Sequence, residues 1–288
     1  MRTRLCSFSD LFQINMETWV DQTRKPFFSP VGVYVPVRDG YPASHLLPER
    51  HRKGRGYQKI GDVIAFHGDC PKPEEYTDVI VREQPRGIIH ISGHDGVIRT
   101  PKISLLWGSA GEVTHRESGI EYRLNVEHVM FSQGNREEKS RVAALVRPGE
   151  FVCDMFAGIG YFTLPLAKSG AIVHAIEINP VSFEYLQQNI LINRLSDKVT
   201  AWNGDCREVI RGVYDRIHMG HFDSISFLPV ALSHVRTGTI LHVHMLNDQT
   251  GKIRTVLQKN GIKAEIHLVQ VKKAGPRLLH LVADVVII

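Results

Sequence analysis

The sequence predicts an α/β protein: a doubly wound, mostly parallel sheet over residues 126–288, preceded by a smaller α/β domain over residues 1–125. Three observations predict it. From about residue 126 apolar strand patterns alternate with amphipathic helical ones, as in a parallel sheet built from crossover units. The stretch Val152-Cys-Asp-Met-Phe-Ala-Gly-Ile-Gly-Tyr161 reads as a buried strand running through a glycine turn into a helix. At the end of the chain two strand-like runs are separated by Lys273-Ala-Gly-Pro276, which places an antiparallel strand at the end of that sheet.

Taken in order, Arg136 to Val146 is an amphipathic helix and Phe151 to Phe156 the first strand. A helix over Tyr161 to Lys168 and a strand over Ile172 to Ile176 follow. Pro180, with its fixed φ and missing N–H, suits the first turn of a helix running to about Asn193. Strands are expected at Val199 to Trp202, Arg216 to Met219 and Thr239 to Met245. Helical segments lie near Cys206 to Arg211, Phe227 to His234 and Asp248 to Lys259. Ile262 to Lys272 and Leu278 to Ile288 close the chain. This is the architecture of the class I methyltransferase-like, Rossmann-like fold. Ahead of it, Val31 to Pro36, Asp62 to Phe66, Gly87 to Ile91 and Ile103 to Trp107 are short β-rich pieces punctuated by Gly and Pro.

At 288 residues the chain can bury two cores, and 43% hydrophobic with 23% charged residues is a globular composition. No apolar run approaches the ~20 residues that span a bilayer, and Cys6, Cys70, Cys153 and Cys206 form no Cys-x-x-Cys pair. A cytoplasmic protein with free thiols is expected. The net charge of +5 is compatible with a polyanion, and Glu49-Arg-His-Arg-Lys-Gly-Arg-Gly56 concentrates it in a stretch that is either a solvated loop or a phosphate contact.

The glycine turn and the acid about 20 residues later, Glu177 at the end of Ile172-Val-His-Ala-Ile-Glu177, suit a nucleotide-type cofactor. Glycines admit close backbone approach, and the acid can grip two ribose hydroxyls. The third glycine of a dinucleotide fingerprint falls on Thr163, so S-adenosylmethionine is favoured over NAD. Asp154 and Gly158 supply the first loop, and Asp205 in Gly204-Asp-Cys206 follows the third strand. Asp205 can accept from an adenine amino group, cap the following helix, or do both. Ser132 reads as the cap of the helix that carries Lys139 two turns on. That pair is either a small-zwitterion site or a capped, solvated helix.

Val129-Met-Phe-Ser-Gln-Gly-Asn-Arg-Glu-Glu-Lys-Ser-Arg141, the glycine turn continued to Pro165, His174-Ala-Ile-Glu-Ile-Asn-Pro180, Ile240-Leu-His-Val-His244 and Val271 to Asp284 together resemble a known family. It is the wybutosine-synthesis tRNA aminocarboxypropyltransferase family, in its archaeal form, and the resemblance covers about residue 46 to the end. It implies transfer of the 3-amino-3-carboxypropyl group of S-adenosylmethionine to carbon 7 of 4-demethylwyosine, just 3′ of the anticodon of tRNA(Phe), with release of methylthioadenosine. It further implies that Ser132 and Lys139 hold the methionine portion, Glu177 the ribose, and Asp205 with Cys206 the adenine end.

The sister family methylates N1 of guanosine at the same tRNA position. It carries Arg-Leu where this chain has Gly134-Asn135, and Asn-Leu-Pro where it has Met219-Gly220-His221. Replacing the bulky Arg by Gly134 would leave room for a sulfonium turned to offer its γ-carbon. The methyltransferase is the alternative, and a non-enzymatic RNA-binding protein a more distant one. The resemblance leaves the catalytic base unassigned, with His244 and Asp223 as candidates, and the loop Gly220 to Pro229 departs from the family pattern. His242 and His244 share a strand face without carboxylate or Cys neighbours in sequence, a poor metal pattern. They read as packed or hydrogen-bonded groups or as lining of the base pocket, as do His280 and Arg277. No metal is expected, the N-terminal domain is expected to touch tRNA, and a monomer is expected.

Overall fold

A computed structural model describes residues 2–7, 14, 17–24, 26–29, 31–47, 56–96, 98–132, 135–275 and 277–288. By internal contacts the chain separates into two compact units, Met1–Gly56 and Tyr57–Ile288. Residues 49–55 of the basic stretch, Gln133 and Gly134 of the turn before the first helix of the predicted catalytic domain, and Pro276 lie outside the described residues.

The first unit holds an antiparallel sheet of β1 (Arg2–Cys6), β2 (Phe27–Ser29), β3 (Gly32–Pro36) and β4 (His45–Leu46) in the order β2-β3-β1-β4. Val33 and Val35 of β3, on either side of the half-buried Tyr34, pack on Val20.

The second unit opens with β5 (Gln58–Ile60), β6 (Val63–His67), β7 (Gly87–Asp95) and β8 (Thr100–Gly108), paired in chain order. β6 and β7 run parallel, joined through helix α1 (Pro73–Glu83), whose Pro73 takes the first turn where no N–H is needed. A hairpin follows, β9 (Glu112–Glu117) with β10 (Ile120–Asn125), and then α2 (Arg136–Leu145). The large sheet takes β11 (Phe151–Asp154), β12 (Ile172–Glu177), β13 (Val199–Asn203), β14 (Arg216–Met219), β15 (Ile240–Leu246), β16 (Ala264–Gly275) and β17 (Leu278–Ile287). Their order is β13-β12-β11-β14-β15-β17-β16, parallel through β15, with β17 antiparallel to both its neighbours. The connecting helices are α3 (Thr163–Lys168), α4 (Pro180–Ile192), α5 (Cys206–Val209), α6 (Ser224–Ala231) and α7 (Thr250–Lys259). The strand order reverses between β11 and β14, which sets the ligand crevice at their carboxyl ends.

One hydrophobic cluster runs from Ile60 and Val63 through Tyr122 and Leu124 of the hairpin to Leu164 and Leu186 of the large sheet's helices. Residue 125 is therefore a change of sheet, and packing is continuous across it. Two asparagines make this junction. Asn189 of α4 accepts from the Arg123 amide (2.7 Å) and donates to the Arg123 carbonyl (3.1 Å). One turn on, Asn193 does the same for Glu121, at 3.0 and 2.7 Å. Spaced i and i+4 on one helix face, they give the edge strand β10 the partners a further strand would have supplied.

Candidate functional site

A cavity of about 250 Å³ lies at the carboxyl ends of β11, β12 and β14 and is lined by Ser132, Lys139, Gly158 and Glu177 together with Gly220, His221 and Phe222. The glycine turn has the conformation its composition predicts. Gly158 (φ +56°) and Gly160 (φ +106°) both occupy the region that side chains avoid. A Cβ on Gly158 would lie 2.6 Å from the Tyr161 ring, so only glycine fits there. The Gly158 amide donates to Glu177 Oε2 (2.7 Å) and the Asn179 amide to Oε1 (2.8 Å). Both carboxylate oxygens are thus held from the backbone. Burial raises the Glu177 pKa, and these two donors oppose it. Asn179 also caps α4 through Oδ1 on the Val181 amide (3.0 Å), with Pro180 at the first position as expected.

The opposite wall comes from residues 130–139. Helix α2 begins at Arg136 with Asn135 as its flanking residue, so Ser132 is not its cap. The segment before the helix is pinned instead. Tyr161 donates its hydroxyl to the Met130 carbonyl, and Gln58 Nε2 donates to the Phe131 carbonyl at 3.2 Å. Ser132 thereby faces the cavity rather than the helix. Lys139 is buried and forms an ion pair with Glu117 of β9, its ammonium 5.8 Å from the Tyr122 ring centre. Burial lowers its pKa and Glu117 counteracts this. A solvated helix face is therefore excluded for Lys139.

The remaining predicted residues are placed elsewhere. Asp154 is fully buried beneath the loop, accepting from Thr163 Oγ1 at 2.8 Å and bonded to His218 Nδ1 at 3.3 Å. Asp205 caps α5, accepting from the Arg207 amide at 2.9 Å and pairing with its guanidinium. The Arg207 hydrogen bond holds its carboxyl below the usual range. Cys206 is buried in the core, where burial pushes its thiol up to about 12. These three do not line the cavity. Neither do His244, which is fully buried, and Asp223, which is exposed and bonded to Ser226. His242 is fully buried too, between Asp284 (2.6 Å) and Arg216 (2.7 Å). Arg277 is exposed. Among the described residues no group of side chains is arranged to hold a metal ion.

Sequence reasoning missed part of the wall. Ile98 and Arg99, at the tip of the β7–β8 hairpin, line the cavity and are tied down by Asn179 Nδ2 on the Ile98 carbonyl (3.2 Å). Lys272 of β16 and Phe162 also line it. The positive φ of Arg99 follows the Asp95-Gly96 turn, which was the one local signal for a hairpin there.

Comparison with known proteins decides the family. The model described as "TRM5/TYW2 methyltransferase domain" matches residues 113–272. The chain belongs to the TRM5/TYW2 family. A Methanocaldococcus jannaschii relative named tRNA(Phe) (4-demethylwyosine(37)-C(7)) aminocarboxypropyltransferase is 34% identical over 244 residues, covering 80% of this chain and 97% of that one. Two TRM5/TYW2 structures agree. Pyrococcus horikoshii TYW2 in complex with MeSAdo has a TM-score of 0.70 at 30% identity, covering 81% of this chain and 91% of that one. M. jannaschii TYW2 in complex with AdoMet has a TM-score of 0.65 at 31% identity, covering 81% and 99%. The complex of aTrm5 and tRNALeu matches all of both chains with a TM-score of 0.74, but at 19% identity this speaks to the fold alone.

Proposed function

We propose that the chain transfers the 3-amino-3-carboxypropyl group of S-adenosylmethionine to carbon 7 of 4-demethylwyosine in tRNA(Phe), releasing methylthioadenosine. It is a tRNA-modifying transferase and S-adenosylmethionine is its group donor. The observation that carries this is the meeting, in one cavity, of the backbone-held Glu177 with Ser132 and the buried cation Lys139. Glu177 offers two acceptors to a ribose, while Ser132 and Lys139 offer a hydroxyl and a charge to a carboxylate. Gly158 lets the sulfonium-bearing chain approach the backbone. When bound, that sulfonium supplies an activated leaving group, so the protein's task is to bind, orient and exclude water.

In this reading Asp154 supports the loop from below, and Asp205 and Cys206 mark the adenine end beyond the cavity at the end of β13. The site opens past Gly220, His221 and Phe222, next to the Met219-Gly220-His221 that stands where the sister family has Asn-Leu-Pro. The tricyclic base, whose carbon 7 gives up a proton once the new carbon–carbon bond has formed, would enter there. The positive charge of the chain would hold the tRNA backbone, with affinity falling steeply as salt rises. Residues 1–125 would share in that contact. The reading takes the chain as a cytoplasmic monomer; among the described residues no helix is long and apolar enough to cross a membrane.

The alternative reading is guanosine N1-methylation, the reaction of the sister branch of the TRM5/TYW2 family. The two are separated by incubating the protein with labelled S-adenosylmethionine and tRNA bearing the tricyclic base, then chromatographing the small-molecule product. Methylthioadenosine is expected. S-adenosylhomocysteine would overturn the proposal, and failure to bind the donor in calorimetry would leave only an RNA-binding protein.

A further inference from the structure

Behind the cavity wall formed by Phe162, Gly220 and Phe222 lies a row of imidazoles that no step above uses. His218 of β14, His244 of β15 and His280 of β17 are each fully buried. They are bonded in series: Asp154 Oδ1 to His218 Nδ1 at 3.3 Å, His218 Nε2 to His244 Nε2 at 3.2 Å, and His244 Nδ1 to His280 Nε2 at 2.9 Å. Since β11, β14, β15 and β17 are successive in the sheet, each strand contributes one member. The row touches the cavity lining at both ends. Phe162 stacks on His218 with ring centres 3.8 Å apart, and a Cβ on Gly220 would lie 2.8 Å from His218 Cε1. At the far end the Phe222 ring stands edge-on to His280 at 4.9 Å, and Lys272 is its cross-strand partner.

Hydrogen bonding sets the direction of the row. A neutral imidazole has one donor and one acceptor nitrogen. The Asp154 carboxylate accepts, so His218 donates from Nδ1 and accepts at Nε2. His244 must then donate from Nε2 and accept at Nδ1, and His280 must donate from Nε2. That leaves a lone pair on His280 Nδ1, and this buried atom has no hydrogen-bond partner in the structure. It is the one ring nitrogen of the three left open, and polarity runs from Asp154 toward it. Such an orphaned acceptor calls for a donor that arrives from elsewhere.

We infer that His280, His244 and His218, anchored on Asp154, are the relay that accepts the proton lost by the base carbon during the transfer proposed above, on which this rests. Carbon 7 attacks the γ-carbon of the donor; the new carbon–carbon bond forms as the carbon–sulfur bond breaks, and that electron pair stays on sulfur. The base is then cationic. As its C–H bond breaks, the electrons restore the ring and the proton passes to His280 Nδ1. His280 gives its Nε2 proton to His244 Nδ1, and His244 gives its Nε2 proton to His218 Nε2. The positive charge comes to rest on His218 beside the Asp154 carboxylate. The proton returns to water after the products leave.

Burial, with Lys272 adding to it, lowers the His280 pKa to about 4, which keeps the ring neutral and its lone pair free at neutral pH. A weak base suffices, because a cationic adduct is a strong carbon acid. For the base to reach His280 Nδ1, the Phe222 ring, half-buried and part of the cavity lining, must turn aside.

The test is single-turnover transfer by the full chain to tRNA carrying protium or deuterium at carbon 7. Wild type is expected to show no primary isotope effect, the attack being slower than proton loss. His280→Gln should lower the transfer rate about 100-fold, acquire a primary isotope effect, and bind S-adenosylmethionine as wild type does. His244→Gln breaks the row but leaves His280 in place; it should show a smaller loss and the same isotope effect, and it keeps the test open should His280→Gln not fold. Wild-type rates in both variants would overturn the inference. So would losses that track donor affinity with no isotope effect, the signature of a structural role. Release of S-adenosylhomocysteine by wild type would instead sink the transferase reading itself.

Discussion

Replacing Glu177 by Gln tests the site with almost no change of shape. The carboxylate receives one backbone N–H on each oxygen, from Gly158 at 2.7 Å and Asn179 at 2.8 Å. An amide has a single oxygen, so one of these donors must face an NH₂ group. Leaving a buried donor unpaired costs about 1–3 kcal/mol, and a hydrogen bond to a charged group is worth about 1.5–3 kcal/mol where a neutral one gives roughly 1. For Glu177→Gln this loss is offset in part because a neutral amide is spared the desolvation that raises the carboxyl's pKa, so the net stability loss should lie toward the lower end, about 1 kcal/mol. The ribose loses one charge-assisted bond and gains a neutral one, a net loss of about 0.5–2 kcal/mol, or roughly 2- to 30-fold in Kd. Isothermal titration with S-adenosylmethionine measures the second and thermal unfolding the first. A Kd within twofold of wild type would refute the placing of the ribose on Glu177. An unchanged melting temperature would refute the claim that both amides depend on the carboxylate.

Three further outcomes follow from the geometry. Gly158→Ala puts a Cβ 2.6 Å from the Tyr161 ring at a φ of +56°, so donor binding in titration should fall sharply; an unchanged Kd would mean the turn relaxes freely. Asn189→Leu orphans the Arg123 amide, the Arg123 carbonyl and the Ile159 carbonyl of the glycine turn. A loss of about 3 kcal/mol, or about 6–12 °C in melting temperature for a unit of this size, is expected, and a shift below about 2 °C would contradict it. Burial pushes the Asp284 carboxyl up, but hydrogen bonds from His242 and Arg141 outweigh it and hold the pKa at about 2 against an ordinary 3.8. A depressed carboxylate stabilises the fold above its unfolded pKa, so about 2 kcal/mol should be present above pH 4 and vanish as pH falls toward 2. Asp284→Asn should remove that part of the acid transition in a pH series of unfolding curves.

Legibility in the sequence followed the range of the interaction. Gly158, Gly160 and Glu177 belong to one strand–turn–strand unit, and φ requirements and spacing reveal such units directly. Pro180 marked the start of α4 because a ring without an N–H suits one helical position best. Ser132 was less clear: a hydroxyl ahead of a helix reads as a cap, and only the bond from the distant Tyr161 to the Met130 carbonyl turns it into the cavity. Asp205 showed the opposite. Its capping of α5 is a local property and is present, whereas its reach toward the cavity depends on where β13 ends. Arg99 and Lys272 could not be found from pattern at all, since they come from a hairpin and an edge strand more than 170 residues apart.

By itself the sequence determined the period of each strand and helix, the glycine turn with its acid, and hence the doubly wound sheet and the kind of ligand its crevice holds. These rest on backbone sterics and on neighbours a few residues away. Tertiary structure alone decided that Lys139 is paired with Glu117, that residues 57–125 share a core with the large sheet, and that three histidines on β14, β15 and β17 join Asp154 in one row. Each of these depends on strand order and register, and a crossover of some 30 residues leaves no local mark of which strand will lie beside which.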